Sequence, residues 1–322
     1  MRILADSVAH VEDPDTLRAR LAADGYLYFR GLLPPAPVAA AADMARAVLV
    51  ARGWADTGTG PAGGTPGAVD ARETVGELAY RRAAGSAELN RLPYLRPLRS
   101  LVRSLLGEDA FSYPVKVLRA VHPEGDRVPQ GRYVHQDYMG LVVEDMLTSW
   151  IPLMPIPWQL GGLAVLPGSH LGAPLPAQVL DIERAEAEGW ASTEFSIGDV
   201  LLFHCLTSHA ALPNRSDRLR LSQDCRWQSA HQPAPARMIY GSKGERDGEA
   251  MHRLLGAQPW WEPVPATLRF QADDVRDGGS VARSRFFPVA HPELWAEGVR
   301  TPPERRDPVA RVGLGTSRTR SG

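Results

Sequence analysis

From residue 112 onwards the chain contains short runs of strand-forming residues separated by glycine and proline. The runs cover 112–121, 131–137, 140–143, 147–154, 162–166, 193–204 and 218–228. Short strands with turn residues between them are typical of sandwiches and barrels. No internal repeat accompanies them. The pattern therefore predicts a β-sandwich or β-barrel for the central part of the chain.

The first 110 residues carry mainly helical signals. Helices are predicted over 14–24, 36–52, 71–84 and 93–106, and an aromatic strand over 26–29. Residues 53–70 are rich in glycine and proline, which predicts a surface loop, with a lid over a site as the alternative. We expect one domain over 1–300, with N-terminal helices over about 1–110 and a barrel core over about 111–240. A disordered tail is expected over 301–322.

The composition argues against several classes of protein. In 322 residues the basic and acidic side chains nearly cancel to a net charge of −1, which gives no basis for binding nucleic acid or an anionic membrane. No apolar run is long enough to span a bilayer, and we expect no signal peptide, because the first residues lack its basic-then-apolar pattern. Cys205 and Cys225 cannot build a disulfide framework. We expect a cytoplasmic protein with two buried free thiols, and the sequence leaves its oligomeric state open.

His135 and Asp137 stand two residues apart in a segment that is predicted to be a strand entering a loop. Alternate residues of a strand point to one face, so the imidazole and the carboxylate can reach a common point. With a second imidazole they would form the two-histidine, one-carboxylate set of non-haem Fe(II) oxygenases. Other His-x-acid triplets occur at His10/Glu12, His122/Glu124 and His291/Glu293. Those triplets lie in turn-like or polar segments, so we expect the metal at His135 and Asp137.

The second imidazole is expected from His209, with His204 as the main alternative. His209 precedes a Pro-Asn turn and then a strand that carries Arg218 and Arg220 at alternate positions. This order can place an imidazole at the metal and a guanidinium deeper in the same cavity. An oxidising Fe(II) site needs a co-substrate, and a dicarboxylate needs a bidentate anchor, which arginine provides and lysine does not. By parity Arg218 and Arg220 compete for this role.

Several segments, in this order and spacing, resemble the phytanoyl-CoA dioxygenase family of Fe(II)- and 2-oxoglutarate-dependent oxygenases. They are 24–33, His135-Gln136-Asp137, 147–153, 161–170 and 198–203, followed by His209, Asn214, Ser216 and Arg220. The resemblance implies a mainly β fold with flanking helices and a double-stranded β-helix core, of the jelly-roll, cupin-like type. In the family the arginine follows the distal histidine by eleven residues, which favours Arg220 over Arg218.

The resemblance also implies a reaction and roles for individual residues. Fe(II) would be held by His135, Asp137 and His209, and 2-oxoglutarate would be contacted by Arg220, Ser222, Gln136 and Trp150. With O₂, such a site oxidises a small molecule and releases succinate and CO₂. Halogenases of this type lack the carboxylate ligand, so Asp137 implies hydroxylation or a related oxidation. The Ala/Arg/Gly/Pro-rich composition fits a GC-rich bacterial source, in which enzymes of this family often act in secondary metabolism.

Substrate contacts are the part of the site that the sequence constrains least. Four side chains near the ligands or on the Arg220 strand are candidates: Tyr133, Tyr138, Arg226 and Trp227. Aromatic side chains are more often core than pocket. Two alternatives to an oxygenase are a zinc-dependent hydrolase or isomerase and a non-catalytic ligand-binding protein on the same barrel. Arg220 argues against the former, which has no dicarboxylate to anchor, and the intact ligand set argues against the latter.

Overall fold

The structure is a computed structural model of the 322-residue chain. It describes residues 1–51, 55, 86–114, 116–123, 134–138, 143–172, 189–235, 239 and 253–271. Outside these residues lie Tyr133, the predicted helix over 71–84, the tail over 301–322 and all of the 53–70 loop except Ala55. Among the residues described, no helix has the length and apolar character needed to cross a bilayer.

Ten strands of the described residues form two sheets. They are β1 (Arg2–Ile3), β2 (Tyr26–Phe29), β3 (Ala110–Ser112), β4 (Val117–Val121), β5 (Met146–Pro152), β6 (Leu163–Val165), β7 (Ala191–Ser192), β8 (Val200–His204), β9 (His209–Ala211) and β10 (Arg220–Ser229). The smaller sheet has the order β1-β7-β6-β9. The larger has the order β2-β8-β5-β10-β3, with β4 also paired to β10. All of these pairings are antiparallel except that of β1 with β7.

Four α-helices of the described residues flank the sheets. They are α1 (Pro14–Asp24), α2 (Pro35–Ala51), α3 (Ala87–Arg91) and α4 (Arg96–Leu106). The predicted bounds of α1 are confirmed, because the Asp13 side chain accepts a hydrogen bond from the Thr16 amide at its start. The helix ends at Gly25, whose φ of 78° suits a residue without a Cβ. α4 lies within the helix predicted over 93–106 and buries one apolar face, which includes Leu98 and Leu101.

Two predicted strands are shorter or divided in the structure. The run predicted over 112–121 forms β3 and β4, with Pro114 between them, because proline cannot donate to a sheet ladder. The run predicted over 193–204 becomes regular only at β8, after Gly198 turns the chain at a φ of 96°. The runs over 147–154 and 218–228 are confirmed as β5 and β10, with ends shifted by two residues or fewer.

Alternation along β10 separates the site from the helix-packed core. On one face the Gln223 amide donates to the Leu89 carbonyl of α3, so the helices cover that face. On the opposite face Arg220 donates to the Gly161 and Gly162 carbonyls, which directly precede β6 of the smaller sheet. The mainly β fold with flanking helices is therefore confirmed, with two sheets that face one another. No strand pairing within the described residues closes them into a continuous barrel.

Candidate metal centre

Two imidazoles and a carboxylate converge where the chain segment at 134–138 meets β9. His135 and His209 form an antiparallel bridge, with N···O distances of 3.1 and 3.0 Å between their backbones. Their ring centroids lie 4.2 Å apart. Asp137 is two residues further on, and one ligand atom from each of the three side chains lies within 4.8 Å of the others. This geometry suits two histidines and one carboxylate on a single metal ion.

The local backbone fixes which nitrogen of His209 faces the site. Nδ1 lies 3.0 Å from the Thr207 carbonyl oxygen, which can only accept, so Nδ1 carries the proton and Nε2 is left for a metal. The Phe203 ring, 4.5 Å away between centroids, packs against the imidazole. Burial, and then the neighbouring His135, lower the pKa of His209 to about 4. His209 is therefore a neutral imidazole at physiological pH, as a metal ligand must be.

The Asp137 carboxylate is held from two sides. Thr148 of β5 donates its hydroxyl to Oδ2 at 2.5 Å, and Arg226 of β10 donates Nη2 to Oδ1 at 2.9 Å. Burial by itself would raise the pKa of Asp137, but the charge of Arg226 and the nearby His209 outweigh burial and hold the pKa far below its ordinary value. The ligand set therefore includes a neutral imidazole at His209 and an ionised carboxylate at Asp137.

Arg220 and Ser222 present unpartnered polar atoms on the inner face of β10. Arg220 is 2% exposed, and its Nη1 is fixed by the Gly161 and Gly162 carbonyls at 2.5 and 3.2 Å. Its Nε and the Ser222 hydroxyl are buried and have no hydrogen-bond partner among the described residues. Buried donors normally have partners, so these atoms fit the far carboxylate of 2-oxoglutarate. Burial lowers the pKa of Arg220 to about 10, which keeps it charged at neutral pH.

The two alternatives that the sequence left open occupy different surroundings. His204 is fully buried, its Nε2 lies 4.0 Å from Asp145, and it does not belong to the ligand group. Arg218 has a side chain that is 55% exposed and lies beside Asp217 at the surface. The structure therefore places His209, rather than His204, in the ligand group, and Arg220, rather than Arg218, on the buried inner face of β10.

Gln136 and Trp150, which the sequence predicted to contact 2-oxoglutarate, lie in different positions relative to the site. Gln136 lies between the two ligands, and its side-chain amide donates to the Leu206 carbonyl at 2.7 Å. Trp150 shares the face of Thr148 on β5 and packs edge-on against Phe195, with ring centroids 4.7 Å apart. Both side chains are 2% exposed. Trp150 is therefore on the wall that faces the site, whereas Gln136 points away from the ligand pair.

The candidate substrate contacts fall in three different places. Arg226 reaches Asp137, as described above, with a side chain that is 11% exposed. Tyr138 is buried in an apolar cluster with Phe111 and Tyr113. Trp227 lies on the helix-covered face of β10, where its indole donates to the Ser149 hydroxyl at 3.1 Å. The prediction that Trp227 contacts the substrate is therefore corrected. Trp227 directly follows Arg226 in β10, and neighbouring residues of a strand point to opposite faces.

The sequence did not predict that Thr148 and Arg226 hydrogen-bond to the Asp137 carboxylate. A signal existed for Thr148, which is two residues before Trp150 and therefore shares its face. The hydrogen bond of Arg226 had no such signal, since it depends on the pairing of β10 with β5. In that pairing Arg226 stands directly opposite Thr148.

The sequence is similar to a known protein family and to known relatives. The model of the phytanoyl-CoA dioxygenase (PhyH) family matches residues 21–222, well over half of the chain. The chain belongs to this family. Among its relatives are the 1-deoxypentalenic acid 11-beta-hydroxylases of Streptomyces exfoliatus and Streptomyces arenae, each 29% identical to it. The first match covers 70% of this chain and 84% of the relative, and the second 70% and 85%.

Solved structures of other enzymes share the fold. The epimerase SnoN from nogalamycin biosynthesis, described as non-heme and alpha ketoglutarate dependent, is 21% identical with a TM-score of 0.54. That match covers 81% of this chain and 97% of SnoN. EctD from S. alaskensis, solved with bound Fe, is 21% identical with a TM-score of 0.51, over 84% of this chain and 94% of EctD. These likenesses concern the fold, and they confirm the jelly-roll, cupin-like core.

Proposed function

We propose that this PhyH family member is an Fe(II)- and 2-oxoglutarate-dependent dioxygenase that hydroxylates an unactivated C–H bond of a small molecule. The observation that carries the proposal is the convergence of His135, Asp137 and His209, with Arg220 on the inner face of the facing sheet. When bound, Fe(II), 2-oxoglutarate and O₂ supply the oxidising chemistry, with release of succinate and CO₂.

The residues of the chain bind, orient and exclude water. The two imidazoles and the ionised Asp137 would hold the metal, and Arg220 with Ser222 would hold the far carboxylate of the co-substrate. Trp150 would bound the co-substrate pocket on its apolar side. Since the carboxylate ligand is present, no coordination position is vacated for a halide, which supports hydroxylation rather than halogenation.

The names of the relatives suggest a class of substrate. Both are hydroxylases of 1-deoxypentalenic acid, so we propose a small carboxylic acid of bacterial secondary metabolism as the substrate. We further propose that the enzyme acts in the cytoplasm, since Cys205 and Cys225 are buried free thiols, as expected in a reducing compartment.

The test is succinate formation from 2-oxoglutarate by purified protein with Fe(II), ascorbate and O₂, in the presence of candidate acids such as 1-deoxypentalenic acid. We expect succinate release and a hydroxylated product, both lost in His135→Ala and Arg220→Ala. Arg218→Ala, which removes an exposed guanidinium two residues away, is the control and should retain activity. Metal-dependent turnover that needs no O₂ would instead identify a hydrolase or isomerase.

A further inference from the structure

Two neighbouring strands each donate a hydrogen bond to a different oxygen of the same metal ligand. Thr148 and Arg226 stand opposite one another in the pairing of β5 with β10. Directly opposed residues of an antiparallel pair project to the same face, so both side chains point at the Asp137 carboxylate. The hydroxyl takes Oδ2 and the guanidinium takes Oδ1, and both residues of the ion pair are largely buried.

We propose that Arg226 is a positioning residue, which fixes the Asp137 carboxylate in the orientation that binds the metal. The inference rests on the proposed metal site and adds a residue to it. Each carboxylate oxygen offers about two lone pairs, so one donor on each oxygen still leaves lone pairs for a metal while it restricts rotation of the group. An Arg–carboxylate bond is charge-assisted, and it is stronger and more directional than a bond from a neutral donor.

Arg226 is distinguished from the other guanidinium groups that line this face. Arg220 is fixed by backbone carbonyls near β6, and Arg119 of β4 donates its Nε to Asp224 at 2.8 Å. No hydrogen bond joins either of them to Asp137 among the described residues. Arg119 is therefore a control for charge, because it carries the same charge in an ion pair of nearly the same length on the same sheet, with a side chain that is 46% exposed against 11% for Arg226.

Positioning and charge predict opposite results when Arg226 is removed. A guanidinium beside the site repels a divalent cation, so the loss of its charge alone would tighten metal binding. The loss of a partner that orients a ligand weakens binding, typically by about 10–100-fold. Metal affinity therefore decides whether Arg226 acts by positioning.

The experiment is titration of the metal-free full-length protein with Co(II), followed by calorimetry and by the visible absorption of the bound ion. We expect Arg226→Met to bind Co(II) at least about tenfold more weakly than the native chain, with altered absorption bands that report a changed ligand geometry. Arg226→Lys keeps a charged donor and should recover part of the affinity. Arg119→Met should stay within about threefold of native.

The outcomes separate this inference from the proposed metal site. Native binding that His135→Ala abolishes supports the metal site, whatever Arg226 does. Co(II) affinity in Arg226→Met equal to or tighter than native would overturn the positioning role and leave the site standing. Absence of native binding would overturn both. Circular dichroism checks that each variant is folded. If Arg226→Met is not, Arg226→Gln, which removes the charge and is too short to reach Asp137, is titrated in its place, and Co(II) affinity equal to or tighter than native counts against positioning.

Discussion

Replacement of Arg220 by methionine should abolish co-substrate binding while leaving the fold intact. A guanidinium that holds a carboxylate through two hydrogen bonds contributes about 1.5–3 kcal/mol for each bond to a charged group. Loss of both bonds corresponds to about 3–6 kcal/mol, or about a 10²–10⁴-fold fall in affinity for 2-oxoglutarate. Methionine keeps an unbranched apolar side chain in the same space, so the loss is confined to the polar group.

The expected change in stability is small because two effects of the substitution oppose one another. The Gly161 and Gly162 carbonyls lose their donor, which costs about 1–3 kcal/mol for each buried acceptor. Burial lowers the pKa of Arg220 to about 10, so removal of the charge recovers lost solvation on the order of 3 kcal/mol. The free energy of unfolding should therefore stay within about 3 kcal/mol of native.

The two quantities are measured separately. Calorimetry of the Co(II)-loaded protein with 2-oxoglutarate gives the affinity, and urea unfolding of the metal-free protein gives the stability. Arg218→Met is the control, since it removes a guanidinium from the same strand region at an exposed position. The reasoning would be refuted if Arg220→Met bound 2-oxoglutarate within about threefold of native, or if the control lost as much affinity.

Two further predictions concern stability. Burial lowers the pKa of Lys116 to about 8, so the unfolded chain binds this proton more tightly at pH values between about 8 and 10.5. Relative to Lys116→Met, native stability in urea should rise by about 3 kcal/mol across that window, whereas a difference independent of pH would contradict the burial argument. Gly161 has a φ of 69°, and a Cβ there would press on the Pro213 carbonyl. Gly161→Ala should lose at least about 2 kcal/mol of stability. Gly168 has open space around it, so Gly168→Ala should lose only about 1 kcal/mol. Equal losses in the two variants would show that the contact with the Pro213 carbonyl is not responsible.

Residue parity explains why much of the site could be predicted from the sequence. His135 and Asp137 share a face because they are two apart, and Arg220 reaches the interior because alternate residues of β10 do. Parity applied one step further would have excluded Trp227, which follows Arg226 directly. Gln136 stands between two ligands and points away for the same reason.

What parity could not predict is which elements meet. The hydrogen bond from Arg226 to Asp137 joins residues 89 positions apart, and it exists because β10 pairs with β5 in one register. Parity also could not decide between Arg218 and Arg220, because that choice depends on where β10 begins. Both have the parity of the inner face, but β10 begins at Arg220, and Arg218 remains in the exposed turn before it.

The register of β10 thus determines which of its side chains face the metal ligands and which pack against the helices. A slip of one residue would exchange its two faces, because side chains alternate with a period of two. Arg220 and Arg226 would then enter the helix-covered core without partners, and Trp227 would replace a guanidinium beside the metal ligands. Burial of unpaired charges costs several kcal/mol for each, so the residues that would bind metal and co-substrate also oppose every odd shift of the strand. Seven paired positions with β5, Ser222 to Gln228, hold this register.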